Sequence, residues 1–205
     1  MTARPRRPRD AATLVLARGR GPDAEVLMGR REPLDRFMPD VYVFPGGRVD
    51  PSDATHPAAS ELRPDVAASL ARAAGPARAR AIGVAAVRET FEETGLVVGA
   101  REGGALLPGL GELEYLARAI TPAGNPIRYH ARFFLADAER ASGAIRSNGE
   151  LLDLAWVPIP RALELDIIDV TQVVLREAAA RLCGTASPGV PLIHYRAGAQ
   201  RIRRD

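Results

Sequence analysis

A chain of 205 residues with 46% apolar and 26% charged residues and a formal net charge of +3 can build one substantial core and has the polarity of a soluble globular protein. No apolar run approaches the roughly 20 residues of a membrane helix, and the start, Met1-Thr2-Ala3-Arg4-Pro5-Arg6-Arg7-Pro8-Arg9, lacks the apolar core of a signal peptide. A cytoplasmic protein with no membrane partner is the expectation. All 28 basic residues are arginine and the pI is near 9.6, which suits an anionic small molecule, since the planar guanidinium can bind two phosphate oxygens at once. Much of the basic excess lies in the terminal arms, without a nucleic-acid motif or interleaved aromatic platform, so nucleic acid is not an expected partner. The single cysteine, Cys183, excludes an intrachain disulfide.

Residues 1–10 read as a flexible basic arm. The apolar runs at 12–17 and 25–31, split by Gly19-Arg20-Gly21-Pro22-Asp23, predict a hairpin. Val41-Tyr42-Val43-Phe44 predicts a strand that runs into the tight turn Pro45-Gly46-Gly47, where glycine lets the main chain approach a metal or a phosphate. Between Pro64 and Gly75-Pro76 a short helix is predicted, with a narrow apolar stripe of Val66, Leu70 and Ala73 or Ala74. A second helix is predicted from about Ala77 to Thr94, with Ile82, Ala86 and the stem of Phe91 facing inward and Gly95 as its stop. Strands follow near 96–98, 113–120, 127–136 and 151–157, then a short helix at 160–165, a longer one at 170–182 with Val173 and Val174 inward, and a strand at 190–196. Residues 197–205 read as a basic tail. Periodicity alone gives α/β or α+β, with one domain over residues 11–196.

Other candidate sites carry less chemistry. Gly103, Gly104, Gly109 and Gly111 have no following lysine and read as a connector. His56, His130 and His194 have no zinc spacing, and His130, in a predicted strand, reads as packed or hydrogen-bonded. Asp166 and Asp169 read as capping or solvated residues near Val170.

The densest chemistry lies in Arg88-Glu89-Thr90-Phe91-Glu92-Glu93-Thr94-Gly95-Leu96. Glu89, Glu92 and Glu93 stand at i, i+3 and i+4 on one helix face, where each like-charged pair costs about 0.2–0.5 kcal/mol. Arg88 can neutralise part of that charge, and a hard divalent cation such as Mg²⁺ or Mn²⁺ would neutralise more.

This segment and the upstream Phe44-Pro45-Gly46-Gly47-Arg48-Val49-Asp50 together resemble the box of the Nudix hydrolases, G-x5-E-x7-R-E-U-x-E-E-x-G-U with U aliphatic. Gly47 is the first glycine and Arg88–Leu96 the second half. Asp53 replaces the first glutamate, Thr90 takes an aliphatic place, and residues 54–87 stand where the pattern has seven. An interrupted box resembles the branch typified by the peroxisomal coenzyme A diphosphatase and its bacterial relatives. So do Val26–Arg31 with Arg36–Pro39, Ile120–Pro126, Arg132–Ala136 and Trp156–Pro158.

The resemblance implies a mixed β-sheet sandwiched between helices, with a helical insertion at about 54–80 inside the box. It also implies an enzyme: a metal-dependent diphosphatase acting on a small-molecule nucleoside diphosphate conjugate, foremost coenzyme A or an acyl derivative. ADP-ribose or a dinucleotide is the alternative substrate, and a non-catalytic nucleotide-binding regulator the alternative function. A homodimer is left open. Glu92 and Glu93 are the implied metal ligands, Glu89 a ligand or proton acceptor, the Gly46 carbonyl a further ligand and Arg88 an orienting partner, while Glu150 is the candidate late-loop acid. Arg31, Arg48 and Arg132 are the candidate substrate-binding residues. The interruption is expected to leave Asp50, not Asp53, as the nearer partner of Arg88, and the insertion is expected to dock weakly beside the site as a wall or lid.

Overall fold

The computed structural model of the protein describes residues 7–33 and 38–205. Most of the basic arm (residues 1–6) and the Arg36-Phe37 part of one branch phrase lie outside the described residues. In chain order the strands are β1 Arg9–Arg18, β2 Glu25–Arg31, β3 Tyr42–Val43, β4 Gly46–Arg48, β5 Val97–Glu102, β6 Ala105–Pro108, β7 Glu114–Ile120, β8 Tyr129–Asp137, β9 Ala141–Ser142, β10 Leu151–Pro158, β11 Pro191–Arg196 and β12 Ala199–Arg204. The α-helices are α1 Pro64–Ala74, α2 Pro76–Thr94, α3 Ile159–Ala162 and α4 Asp169–Leu182. None of the described helices is long and apolar enough to cross a membrane.

One large mixed sheet runs β10-β2-β1-β8-β7-β11-β12. β1 pairs parallel with β8, and β7 with β11. Strand alternation separates two cores. Leu14, Leu16 and Phe134 point to the face covered by α1 and α2, whereas Val15, Ala17, Phe133 and Leu135 point to the face covered by α3 and α4. This α+β sandwich is the architecture that the family resemblance implies.

The predicted β1–β2 hairpin is paired only next to its turn, at Ala17–Val26 and Arg18–Glu25. Beyond that point the strands splay, and β4 takes over the vacated edge of β1 from Ala11–Arg48 to Thr13–Gly46. The glycine turn is thereby built into the sheet. A Cβ at Gly46 would overlap the Ala12 carbonyl and Thr13, so only glycine fits that approach.

Helices α1 and α2 start on Pro64 and Pro76, and Gly75 separates them. Gly95, at φ 74, ends α2 in the left-handed region with its N–H donating to the Phe91 carbonyl. Ile82 and Ala86 are fully buried, Phe91 packs on the same core, and in α4 Val174 is buried with Val173 packed beside it.

Three expectations are corrected. Residues 197–205 are not a tail: Ala197 and Gly198 form a two-residue turn, and β12 returns along β11 with Ile193 opposite Ile202. Arg204 then reaches the buried Glu177 at 2.6 Å, which ties the strand to α4. The glycines after β5 are not a plain connector, since Gly103 and Gly104 turn a β5–β6 hairpin in which Glu102 faces Ala105. Finally, the insertion is not a weakly docked lid. Val66 and Leu70 are 3% and 2% exposed against the α2 core, and Ser60 and His56 anchor the segment to the Gly109 and Leu106 backbone.

Candidate active site

The two halves of the box meet around the Arg88 guanidinium. Its Nε and Nη2 donate to the two oxygens of Asp53 at 2.8 and 3.0 Å, a bidentate pair in which Asp53 is 1% exposed. Nη1 donates to Glu89 at 2.9 Å and to Glu92 at 3.2 Å, and Nη2 also reaches the Arg48 carbonyl at 3.1 Å. Asp50 stands 3.9 Å away, so the expectation that it is the nearer partner is overturned. The physical reason is local: Pro51–Ala54 form a 3-10 turn in which Asp53 accepts from the Asp50 N–H at 2.7 Å, and that turn swings its carboxylate inward. Thr90, in the aliphatic place, is fully buried and satisfies its hydroxyl on the Ala86 carbonyl at 2.8 Å.

Glycine and carboxylate are fitted to each other. A Cβ at Gly47 would overlap the Glu89 carboxylate, and the Gly46 N–H donates to Glu93 at 2.8 Å. Burial pushes the Glu93 carboxyl up to about 8, and the neighbouring Glu89 and Glu150 charges add to the shift. Burial also raises Glu89, although the Arg88 charge opposes it.

These groups close one end of a cavity of about 740 Å³, within the ordinary range of small-molecule sites. Glu89, Glu93, Gly46, Arg31, Arg48 and Glu150 all line it. Its floor crosses the sheet from β4 over β1, β8 and β7 to β11, four strand spacings or roughly 19 Å. At the far end the N-terminus of α4 meets β11, and the Tyr195 hydroxyl donates to Asp169 at 2.6 Å. Burial first, and then the Asp169 carboxylate, push that phenol up to about 12. Asp169, read from sequence as a capping or solvated residue, is also a wall of the cavity.

Not every predicted residue converges. Glu92, with its side chain 49% exposed, is turned to the surface beside Arg88 and does not line the cavity. Arg132 is corrected as a substrate-binding candidate: it points to the opposite sheet face, 2% exposed, paired with Asp10 and donating to the His130 carbonyl at 2.7 Å. His130 is half-buried, and burial together with the Arg132 and Arg118 charges lowers it to about 4. Among the described residues its Nε2 has no hydrogen-bond partner, so of the two expected environments the packed one is seen. No residue of 54–80 reaches the cavity, because the insertion covers the other face.

Among the described residues no three acidic, histidine or cysteine side chains converge as a ready-made metal cage. The donor set still suits a hard divalent cation. Its members are all oxygens, and the upward shifts of Glu89 and Glu93 mark concentrated negative charge that a cation would relieve.

No protein-family model matches the chain, and no curated protein matches it. Among solved structures, a Nudix hydrolase from Alicyclobacillus acidocaldarius is similar at 29% identity and a TM-score of 0.62, over 83% of this chain and 90% of that one. The Nudix domain of Shewanella oneidensis NrtR, solved in complex with ADP ribose, shares the fold at 13% identity and a TM-score of 0.56, over 86% and 90%. A Caenorhabditis elegans Ap4A hydrolase does so at 18% identity and a TM-score of 0.50, over 86% and 98%. The Alicyclobacillus likeness extends to sequence, and the box it accompanies is whole in space although it is broken in the chain, so this chain is similar to a Nudix hydrolase in both fold and sequence.

Proposed function

We propose that the enzyme hydrolyses the diphosphate bond of a nucleoside diphosphate conjugate in a reaction that depends on Mg²⁺ or Mn²⁺, with coenzyme A or an acyl-coenzyme A as the foremost substrate. One observation carries this reading: Glu89 and Glu93 are gathered with Gly46, Arg31 and Arg48 at one end of a cavity long enough for a conjugate that extends well past its phosphates. The choice of coenzyme A over ADP-ribose or a dinucleotide is supported by the interrupted box and by the branch phrases in the sequence.

Glu89, Glu93 and the Gly46 carbonyl, with Glu92 from the rim, would hold the divalent ion, whose charge offsets that of the diphosphate and lowers the pKa of attacking water. Everything else falls to the chain. Arg88 fixes Glu89 and Glu92 by hydrogen bonds while its own position is set by Asp53. Arg31 and Arg48, at the same end of the cavity, bind phosphate oxygens and align the phosphorus for in-line attack. Glu150, exposed at the cavity mouth and close enough for its charge to raise Glu89 and Glu93, takes the proton from the attacking water.

Replacement of Glu93 by Gln should lower turnover on coenzyme A by on the order of 10²-fold or more, with the fold intact by circular dichroism. Full turnover by that variant, or by the wild type in excess chelator, would end the metal-hydrolase reading. Gly47→Ala is a subtler probe, because the atom it displaces is the mobile end of Glu89 and not backbone. It should leave the unfolding temperature nearly unchanged while turnover falls on the order of 10- to 100-fold. An unaltered kcat would show that the close approach of Glu89 to Gly47 does not matter.

Glu93 also gives a stability signature in the absence of divalent ions. Its folded pKa, about 8, lies above that of an unfolded glutamate, so between about pH 4.5 and 8 the folded protein keeps a proton that the unfolded chain releases. Stability is therefore lost as pH rises through that window. Thermal unfolding in chelator at pH 5, 6.5 and 8 should show a decline that is shallower in Glu93→Gln than in the wild type. Parallel curves for the two proteins would show that Glu93 ionises normally.

A further inference from the structure

Strand alternation sets a group of basic side chains on the side of the sheet away from the catalytic cavity. Arg118 of β7 lies opposite Arg132 and beside Leu192, and Leu192 lies opposite Arg203. These residues, with His194, stand on the α1–α2 side, whereas Ala119 and Tyr195 of the same strands turn to the large cavity. At the β7–β11–β12 edge a second cavity of about 330 Å³ opens, and Arg128, His194 and Arg203 line it. No acidic side chain is among its described lining residues. The large cavity has the opposite balance, with Glu32, Asp50, Glu89, Glu93, Glu150 and Asp169 against Arg31 and Arg48.

Positive charge also gathers beside the small cavity. Burial lowers the pKa of Arg118, Tyr115 opposes that shift, and the charges of Arg203, Arg132 and Arg72 add to it. Among the described residues, the carboxylates paired with this group are Asp205, shared by Arg118 and Arg203, and Asp10, shared by Arg78 and Arg132. Guanidinium groups therefore outnumber their carboxylate partners, and a bound anion would relieve the repulsion among them. Arg128 is already oriented: its Nε and Nη2 both donate to the Thr121 carbonyl at 3.2 Å, which fixes the guanidinium at the cavity wall.

On these grounds we propose that the small cavity is an anion site in its own right, separate from the catalytic cavity, for the phosphate group of inorganic phosphate or of a phosphate monoester. Its three basic groups come from three segments: the loop before β8, β11 and β12. A phosphate has oxygens enough for two guanidinium forks and an imidazole, whereas a carboxylate has only two. The site needs neither the divalent ion nor the conjugate, because the β7–β11 strand pair stands between it and the carboxylates of the box. Hydrolysis of a diphosphate leaves a phosphate group on each product, so the proposed reaction itself supplies this class of ligand.

Calorimetric titration with inorganic phosphate, in chelator and at constant ionic strength set by chloride, tests the site apart from catalysis. The proteins are the wild type, Arg203→Glu, His194→Gln and, as a control in the other cavity, Glu93→Gln, with the fold of each checked by circular dichroism. The wild type should bind one phosphate per chain with a Kd in the millimolar range or tighter. Arg203→Glu should weaken that binding by about tenfold or more, His194→Gln should weaken it less, and Glu93→Gln should leave it unaltered. Competition by glycerol 3-phosphate assigns the source: equal affinity supports a site for the monoester group, and an affinity about tenfold or more below that of phosphate supports a site for the free ion. Absence of saturable binding in the wild type would overturn the proposal. So would binding that survives Arg203→Glu, or that Glu93→Gln tightens, since either result puts the phosphate in the large cavity. Failure of the wild type to hydrolyse any conjugate would count against the proposed function and leave these outcomes readable.

Discussion

The fold's active end depends on one buried ion pair, Arg88 with Asp53, separated by 35 positions in the chain and joined by two hydrogen bonds in space. Asp53 is withdrawn from water and so needs a partner that satisfies both of its oxygens; the planar fork of arginine does this, and the 3-10 turn at Pro51–Ala54 supplies one more donor from Asp50. Once Arg88 is fixed in this way, its remaining N–H groups can point only toward Glu89, Glu92 and the Arg48 carbonyl. Three carboxylates that would repel one another on an isolated helix are thus held in a fixed relation to the glycine turn.

The sheet supplies the other half of that relation. Because β1 and β2 part after two residue pairs, β4 can add to the edge of β1 and bring the Gly46 and Gly47 backbone against α2 without a long loop. Glu89 fits where a Gly47 side chain would stand, and Glu93 is tethered to the Gly46 N–H. The cavity then follows from strand order, since its floor is the row of small and aromatic side chains that β1, β8 and β7 turn toward α4. The insertion can be long because it leaves the chain after Asp53, packs Val66 and Leu70 on the opposite core, and re-enters as α2 with no residue in the cavity.

Much of this is legible in the sequence. The caps of α1 and α2 are marked by proline and glycine at positions where the backbone demands them, and the order of the long strands follows from their apolar runs. The box is legible as a set of residue types, and Glu89, Glu93, Gly46, Arg31, Arg48 and Glu150 do line one cavity. What escapes the sequence is direction. Arg132 reads like any other arginine in a strand, yet the period of two in β8 sends it to the face away from the cavity, where Phe134 also points. Asp53 and Asp50 are equally plausible partners on paper, and a single 3-10 turn decides between them. For β12 there was a signal in the chain: Ala197-Gly198 between Arg196 and Ala199 is a two-residue hairpin turn, obscured by the arginines that follow it.

A double-mutant cycle on Asp53→Asn and Arg88→Gln, read both in unfolding free energy and in kcat/KM for diphosphate hydrolysis, tests the dependence of the site on this pair most directly. If the pair holds the box together, each single substitution costs about 3 kcal/mol of stability, activity falls in both, and the double mutant is little worse than either, so that the coupling is also about 3 kcal/mol. Additive losses with a coupling near zero, or an Asp53→Asn enzyme with wild-type kcat/KM, would contradict it.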